Sequence, residues 1–167
     1  RLKNVSIAKI LLGQDIENGG LDLKVDKRGM DVTGEIELGS FPAFLGWRRN
    51  FGDKVPFRNL YDVNLYIKDF HRISDLGLDL GPLADDNING DILTELRLTD
   101  YDDHPDNLEV TADLTRLAME FPALGWSKGK GIGGMVEVDL ILEGDLIVDV
   151  PRFALKGGGM VVQGSAL

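Results

Sequence analysis

Apolar and polar residues alternate along most of this chain with a period of two. Leu21, Leu23 and Val25 are interleaved with Asp22, Lys24 and Asp26. Val32, Ile36 and Leu38 share one face, with Gly34 among them, and Asp31, Glu35 and Glu37 occupy the other. The pattern returns at Val63, Leu65 and Ile67, and at Ile92, Leu96 and Leu98 opposite Asp91, Glu95 and Arg97. It returns again at Leu108, Val110, Ala112 and Leu114, at Val136, Val138 and Leu140, and at Leu146, Val148 and Val150 opposite Asp145 and Asp149. This is the period of a strand with one face in water and one face covered.

Between these runs the punctuation is that of turns. Lys27-Arg28-Gly29, Glu143-Gly144 and Gly157-Gly158-Gly159 each offer glycine for a tight reversal. Residues 4–12 alternate loosely and predict a first strand, residues 13–20 a polar loop, and residues 81–87 another loop. Residues 88–99 predict one strand and residues 101–107 an acidic turn. Pro151 predicts an edge or a bulge, and residues 160–167 a last strand. One short helix is predicted near 69–77, over Phe70 to Leu76 and closed by Gly77. Nothing has the form of a βαβ unit, so nine or ten short strands should form a mainly β, antiparallel sheet.

Each strand leaves an apolar face to be covered, because burying a Val or Leu side chain is worth about 1.5–3 kcal/mol. A helix of about eight residues reaches only about 12 Å and does not cover such a sheet. Three solutions remain open: a two-sheet sandwich, a barrel, or an open groove whose apolar lining meets a ligand.

Composition narrows the function classes. The chain has 167 residues, 43% of them hydrophobic, a formal charge of −10 and no cysteine. The apolar content supports a folded core rather than disorder. The acidic balance argues against nucleic acid and against docking onto anionic headgroups. The lack of cysteine removes disulfides, thiolate metal sites and a thiol nucleophile. No apolar run has the length of a membrane span. The opening Arg-Leu-Lys reads as a piece of a longer polypeptide, with any targeting segment outside it.

Candidate chemistry is sparse. Gly129-Lys-Gly-Ile-Gly-Gly134 has the spacing of a dinucleotide loop, but strand-like residues follow it where a helix should begin. Residues 100–109 have the oxygen density of a calcium loop, with Pro105 where a central glycine belongs. His71 and His104 lie far apart, and no serine sits in a nucleophile elbow. The expectation is no enzyme, no metal and no cofactor. Lys128 and Lys130 read as solvated, with contact to phosphate headgroups as the alternative. Trp47 and Trp126 read as packing residues, with sugar stacking as the alternative.

One motif occurs twice: Phe41-Pro-Ala-Phe-Leu-Gly-Trp47 and Phe121-Pro-Ala-Leu-Gly-Trp126. It suggests an internal repeat of two related units, roughly 1–80 and 81–167. Each would hold a structural corner, at Phe41, Gly46 and Trp47 and at Phe121, Gly125 and Trp126.

A series of short stretches in order resembles one family. Asp113-Leu-Thr-Arg-Leu-Ala-Met-Glu-Phe-Pro-Ala-Leu-Gly-Trp-Ser-Lys128 is similar to the AsmA-like superfamily, in particular its YhdP-type proteins. So are Lys27-Arg-Gly-Met-Asp-Val-Thr-Gly34, residues 50–58, Leu76-Gly-Leu-Asp79, residues 135–155 and Gly158-Gly-Met-Val-Val-Gln-Gly164. Gly129-Lys130 departs from the family, which has a proline there. The resemblance implies a curved antiparallel meander forming an open groove, in the periplasmic part of an inner-membrane-anchored protein of a Gram-negative bacterium. It also implies a bridge-like lipid-transfer role, with phospholipid acyl chains carried between the two membranes in support of the outer one. The lining would be Leu23, Val25, Val32, Ile36, Val63, Leu65, Ile92, Leu96, Val110, Leu114, Val136, Val138 and Leu140. Expected partners are phospholipid and neighbouring β-groove segments of the same chain, with self-association through sheet edges and no nucleic acid. The competing expectation is a closed sandwich serving as a spacer or protein-binding module.

Overall fold

The computed structural model describes residues 2–11, 14–76, 87–144 and 146–166. Among these, ten strands form one antiparallel sheet. They are β1 (Leu2–Leu11), β2 (Gln14–Val25), β3 (Gly29–Leu38), β4 (Phe41–Asn50), β5 (Asn59–Ile67), β7 (Ile92–Asp100), β8 (Asp106–Asp113), β11 (Gly134–Glu143), β12 (Leu146–Gly157) and β13 (Met160–Ala166). Their order in the sheet is their order in the chain, so each pairs with its neighbour in a meander that is open at β1 and at β13. The ladder crosses from the first half of the chain to the second without a break, with β5 paired to β7 from Asn59↔Asp100 to Ile67↔Ile92. A smaller antiparallel sheet holds β6 (Ile88–Gly90), β9 (Leu117–Phe121) and β10 (Trp126–Lys128), in the order β10-β9-β6.

Cross-strand register places the apolar residues of successive strands in rows. Leu21 faces Gly34, Gly34 faces Leu45, Leu45 faces Val63, Val63 faces Leu96, Leu96 faces Val110, Val110 faces Val138 and Val138 faces Phe153. Direct partners lie on one side of a sheet, so these residues share the inward face. The outward face carries the charges, laced by pairs such as Arg97 to Asp62 at 2.6 Å and Arg152 to Asp139 at 2.8 Å. Such exposed pairs are each worth little and serve chiefly to keep that face in water.

The short helix is a 3-10 helix, Phe70–Leu76, with Phe70 and Leu76 buried. Gly77 and residues 81–86 lie outside the described residues. The helix lies beside the β3–β4 turn, where the Arg72 guanidinium sits 5.0 Å from the Phe41 ring and donates to Ser40 Oγ at 2.8 Å. Together with the small sheet it caps the strand ends that carry Ile67, Ile92 and Leu114.

Four sequence expectations are corrected. Residues 14–20 belong to strand β2 rather than to a loop, and the Asn18-Gly19-Gly20 signal marks a slip of register between Glu17 and Gly20. Residues 88–99 are two strands in two sheets. They part at Gly90, whose φ is +135° and where a Cβ would lie 2.3 Å from the Arg116 carbonyl oxygen. Phe41–Trp47 is no corner but the first seven residues of the extended strand β4. Residues 117–121 and 126–128, not read as strands, form the small hairpin. Pro151 does fall in a bulge, since pairing slips between Asp139 and Ile141 on one side and between Val150 and Phe153 on the other.

Candidate functional site: an apolar groove on the concave face

A groove of about 1050 Å³ opens along the inward face of β5, β7, β8, β11, β12 and β13. Its floor is almost wholly apolar. Leu65, Ile92, Leu96, Val110, Leu114, Val136, Val138 and Leu140, all expected from alternation, line it. So do Leu98 and Leu108, read from alternation as inward but not as lining, and Phe153, Leu155 and Val162, which were not singled out. Alternation held the signal for Leu98 and Leu108, whereas the slip at Pro151 reverses the parity read at Leu146, Val148 and Val150 and brings Phe153 and Leu155 inward.

The other expected lining positions lie elsewhere. Val32, Ile36 and Val63 are buried in the core beneath β2–β5, at 4%, 4% and 2% exposure. Leu23 and Val25, near the end of β2, are exposed at 41% and 59%. An alternating pattern gives the inward side of a strand but not what lies above it, so one list mixed closed core with open lining.

Closure changes along the sheet. In the row through its middle, Leu45 is 0% and Val63 2% exposed, whereas Val110 and Val138 are only half-buried. At the far edge Val162 is 43% exposed. Along β12, Ile147 and Val148 are exposed as well. The described sheet therefore passes from a sealed core into an uncovered apolar trough.

The two long sides of the groove differ in chemistry. At the capped side, Phe121, Leu124 and the residues of the 3-10 helix overhang it. The second Phe-Pro-Ala motif is a true corner there. Pro122–Leu124 forms a 3-10 turn, Gly125 takes a left-handed conformation with φ 59°, and Trp126 stacks on Phe121 at 5.6 Å. The Trp126 indole N–H donates to the Gly158 carbonyl at 3.1 Å. In β4 the matching Trp47 stacks on Tyr61 at 5.6 Å and donates to Asn59 Oδ1 at 3.1 Å. Both tryptophans are thus packing residues with satisfied N–H groups, but only one of the two motifs turns the chain.

At the opposite strand ends, Asp100 and Asp106 reach the groove beside Tyr61. Asn59 is buried there and both ends of its amide are bonded, with Oδ1 accepting from Trp47 and Nδ2 donating to Asp100 Oδ2 at 2.5 Å. Burial pushes the Tyr61 phenol up to about 12, and the nearby Asp100 charge adds to the rise. Desolvation likewise raises the Asp106 carboxyl above its ordinary range, against the pull of its bond from the Tyr101 N–H. Asp102 is paired with Arg58 instead. The carboxylates of the acidic turn are therefore drawn to separate partners, and among the described residues no group of three or more His, Cys, Asp or Glu converges on a metal position.

Lys128 is neither solvated nor placed to meet headgroups. It is 2% exposed, and its ammonium donates to the carbonyls of Leu114 at 2.6 Å and Leu117 at 2.8 Å. Its stem passes where a side chain at Gly134 or Gly158 would stand, at 2.9 and 3.1 Å. Desolvation pulls its pKa below the usual lysine value. The buried cation ties the β8–β9 turn to β10 and so holds the cap over the groove. Lys130 is exposed. The glycine-rich run 129–134 closes on Thr115 through the Gly131 N–H at 2.8 Å and leads into β11, not into a helix.

No described helix is long and apolar enough to cross a membrane. Comparison with family models, with curated proteins and with solved structures finds no match to the chain.

Proposed function

We infer that the groove is a seat for lipid acyl chains and that this chain is a lipid-conducting segment without catalysis. The observation that carries the reading is the half-buried to exposed apolar floor of β11, β12 and β13 in a molecule whose outer face is charged. Water-exposed apolar surface on this scale marks a binding site, and a floor with no convergent polar groups suits a ligand recognised by its hydrocarbon. The groove crosses six strands, so five spacings of about 4.8 Å make it roughly 24 Å long. One bilayer leaflet offers chains about 15 Å long, half the hydrocarbon core of about 30 Å, so one acyl chain fits lengthwise. Headgroups would stay in water beside the strand ends. The resemblance to the YhdP-type proteins agrees with this reading and adds the setting: periplasm, phospholipid, and neighbouring segments that prolong the path.

The test is photo-crosslinking in cells from Val138, on the groove floor, and from Asp139, on the opposite face. Lipid adducts from Val138 and none from Asp139 are expected, with mass spectrometry naming the lipid. Absence of adducts at both positions in a folded protein would turn the reading toward a spacer or protein-binding module.

A further inference from the structure

The floor of the groove is apolar, but one rim is not. Among the described residues that line it, Asp100 and Asp106 are the only charged ones, and no lysine or arginine joins them. Both lie at the strand ends away from the cap. Asp100 ends β7 and Asp106 opens β8, one step past the Thr99↔Asn107 pair, so they continue the inward rows of Leu98 and Leu108. Neither forms an ion pair with lysine or arginine among the described residues. Asp100 Oδ2 accepts from the Asn59 amide, and Asp106 Oδ1 accepts from the Tyr101 N–H at 3.1 Å. The arginines of that end are engaged elsewhere. Arg58 pairs with Asp102, and Arg49 reaches Asn59 Oδ1 at 3.4 Å, with Asn59 standing between it and Asp100 in the register. A second observation at this rim points to a ligand. Tyr61 lines the groove and is only 7% exposed. Its hydroxyl has no hydrogen-bond partner among the described residues, and none of their sealed polar side-chain atoms lacks one, so this hydroxyl is not sealed and meets the groove. Buried hydroxyls are otherwise bonded.

We propose that Asp100, Asp106 and the Tyr61 hydroxyl seat the ammonium headgroup of a lipid, so that the groove selects amine-bearing lipids over anionic ones. This rests on the lipid reading of the groove and names the headgroup that the groove takes. Two carboxylates and a hydroxyl offer acceptors to the three N–H donors of a primary ammonium. The cation also relieves a standing repulsion, since desolvation and the charge of Asp100 both raise the Asp106 carboxyl. An anionic headgroup meets the same two charges with no cation on the rim to offset them. The dimensions agree. From β8 to β13 there are three strand spacings of about 4.8 Å, roughly 14 Å in all. A leaflet acyl chain of about 15 Å, with its headgroup at Asp106, therefore spans the open floor.

The test is binding of two tail-labelled fluorescent lipids with identical acyl chains, a phosphatidylethanolamine and a phosphatidylglycerol, presented to the 167-residue chain in neutral detergent at neutral pH. The amine lipid should bind about tenfold more tightly, the low end for hydrogen bonds to a charged group. Asp100→Asn with Asp106→Asn keeps the oxygens that accept from Asn59 and Tyr101. It should abolish the preference while both lipids still bind. Asp22→Asn with Glu35→Gln, at exposed sites on the outer face, makes the same change to the −10 charge and should leave the preference intact. Tyr61→Phe removes a hydroxyl that no described residue uses, so it reads the site even where the double variant loses strand content. It should weaken the amine lipid by about threefold and leave the anionic one unchanged. Equal affinity for the two lipids overturns the headgroup seat and leaves the lipid reading standing. A preference that survives both Tyr61→Phe and the Asp100, Asp106 double variant overturns it as well. Binding of neither lipid overturns the lipid reading and this inference with it.

Discussion

The sheet before β5 and the sheet after β8 are built from the same alternating sequence and end in different states. Inward residues of β2–β5 are sealed except at the end of β2, where Leu23 and Val25 are exposed; Ile16 and Leu21 are at 1% and Leu45 at 0% exposure. Inward residues of β11–β13 lie half-buried or open, Leu142 at the end of β11 excepted, although they are as apolar. In the first region an inward Leu or Val contributes to stability. In the second the same residue type is left over from folding and is free to meet something else. Nothing in composition separates the two, and the lesson is that a binding face can be made of core residues that the fold declines to cover.

The sharpest way to break this comparison is to place a charge in each region. Leu45→Asp should abolish the cooperative fold, because an unpaired buried charge has no compensation. Val138→Asp should leave strand content and melting nearly intact while removing lipid adducts to a crosslinker placed at Val136, also on the groove lining. If both variants unfold alike in thermal melts, the groove is core and the distinction fails. Leu65, although it lines the groove, is 2% exposed; Leu65→Asp should behave as Leu45→Asp does and is the wrong place to probe transport.

Truncation grades the same contrast. Leu45→Ala should cost about 2–5 kcal/mol, and Val138→Ala about 1 kcal/mol or less, both read from urea midpoints. Between them falls the cap. Lys128→Met keeps the apolar stem but leaves the Leu114 and Leu117 carbonyls without their charged donor, a loss of about 2–3 kcal/mol. It should also raise hydrogen exchange in β9 and β10 before it does so in β2–β5.

The smallest effect is a titration at the border of the two regions. Burial raises the Tyr61 phenol from 10.0 to about 12, so the folded chain holds that proton more tightly than the unfolded chain does. The resulting stabilisation is complete below pH 10 and is lost as pH rises toward 12. An ultraviolet tyrosinate titration should show one transition near pH 12, and Tyr61→Phe should remove it.

Most of the strands were legible because alternation is a local property. Where legibility failed, the competing term was non-local. Asn18-Gly19-Gly20 has the composition of a loop, but ladder bonds on both sides of β2 hold it within the strand as a bulge, with Asn18 left-handed at φ 51°. The two Phe-Pro-Ala motifs read as equivalent corners, yet flanking strands on both sides keep Phe41–Trp47 straight, while Pro122–Leu124 has only its own hairpin to obey. Lys128 looked like any lysine beside glycines, and its burial depends on two carbonyls from a turn eleven to fourteen residues away.

The sequence by itself determined that this is an antiparallel meander with one wet and one apolar face, since a period of two in side-chain polarity fixes the faces of a strand and short turns fix the neighbour. It also determined that too little helix exists to roof the sheet. Only the tertiary structure decided which stretch of the apolar face is sealed and which is left open. Closure depends on bulges, twist and capping elements summed over ten strands, and no window of sequence contains that sum.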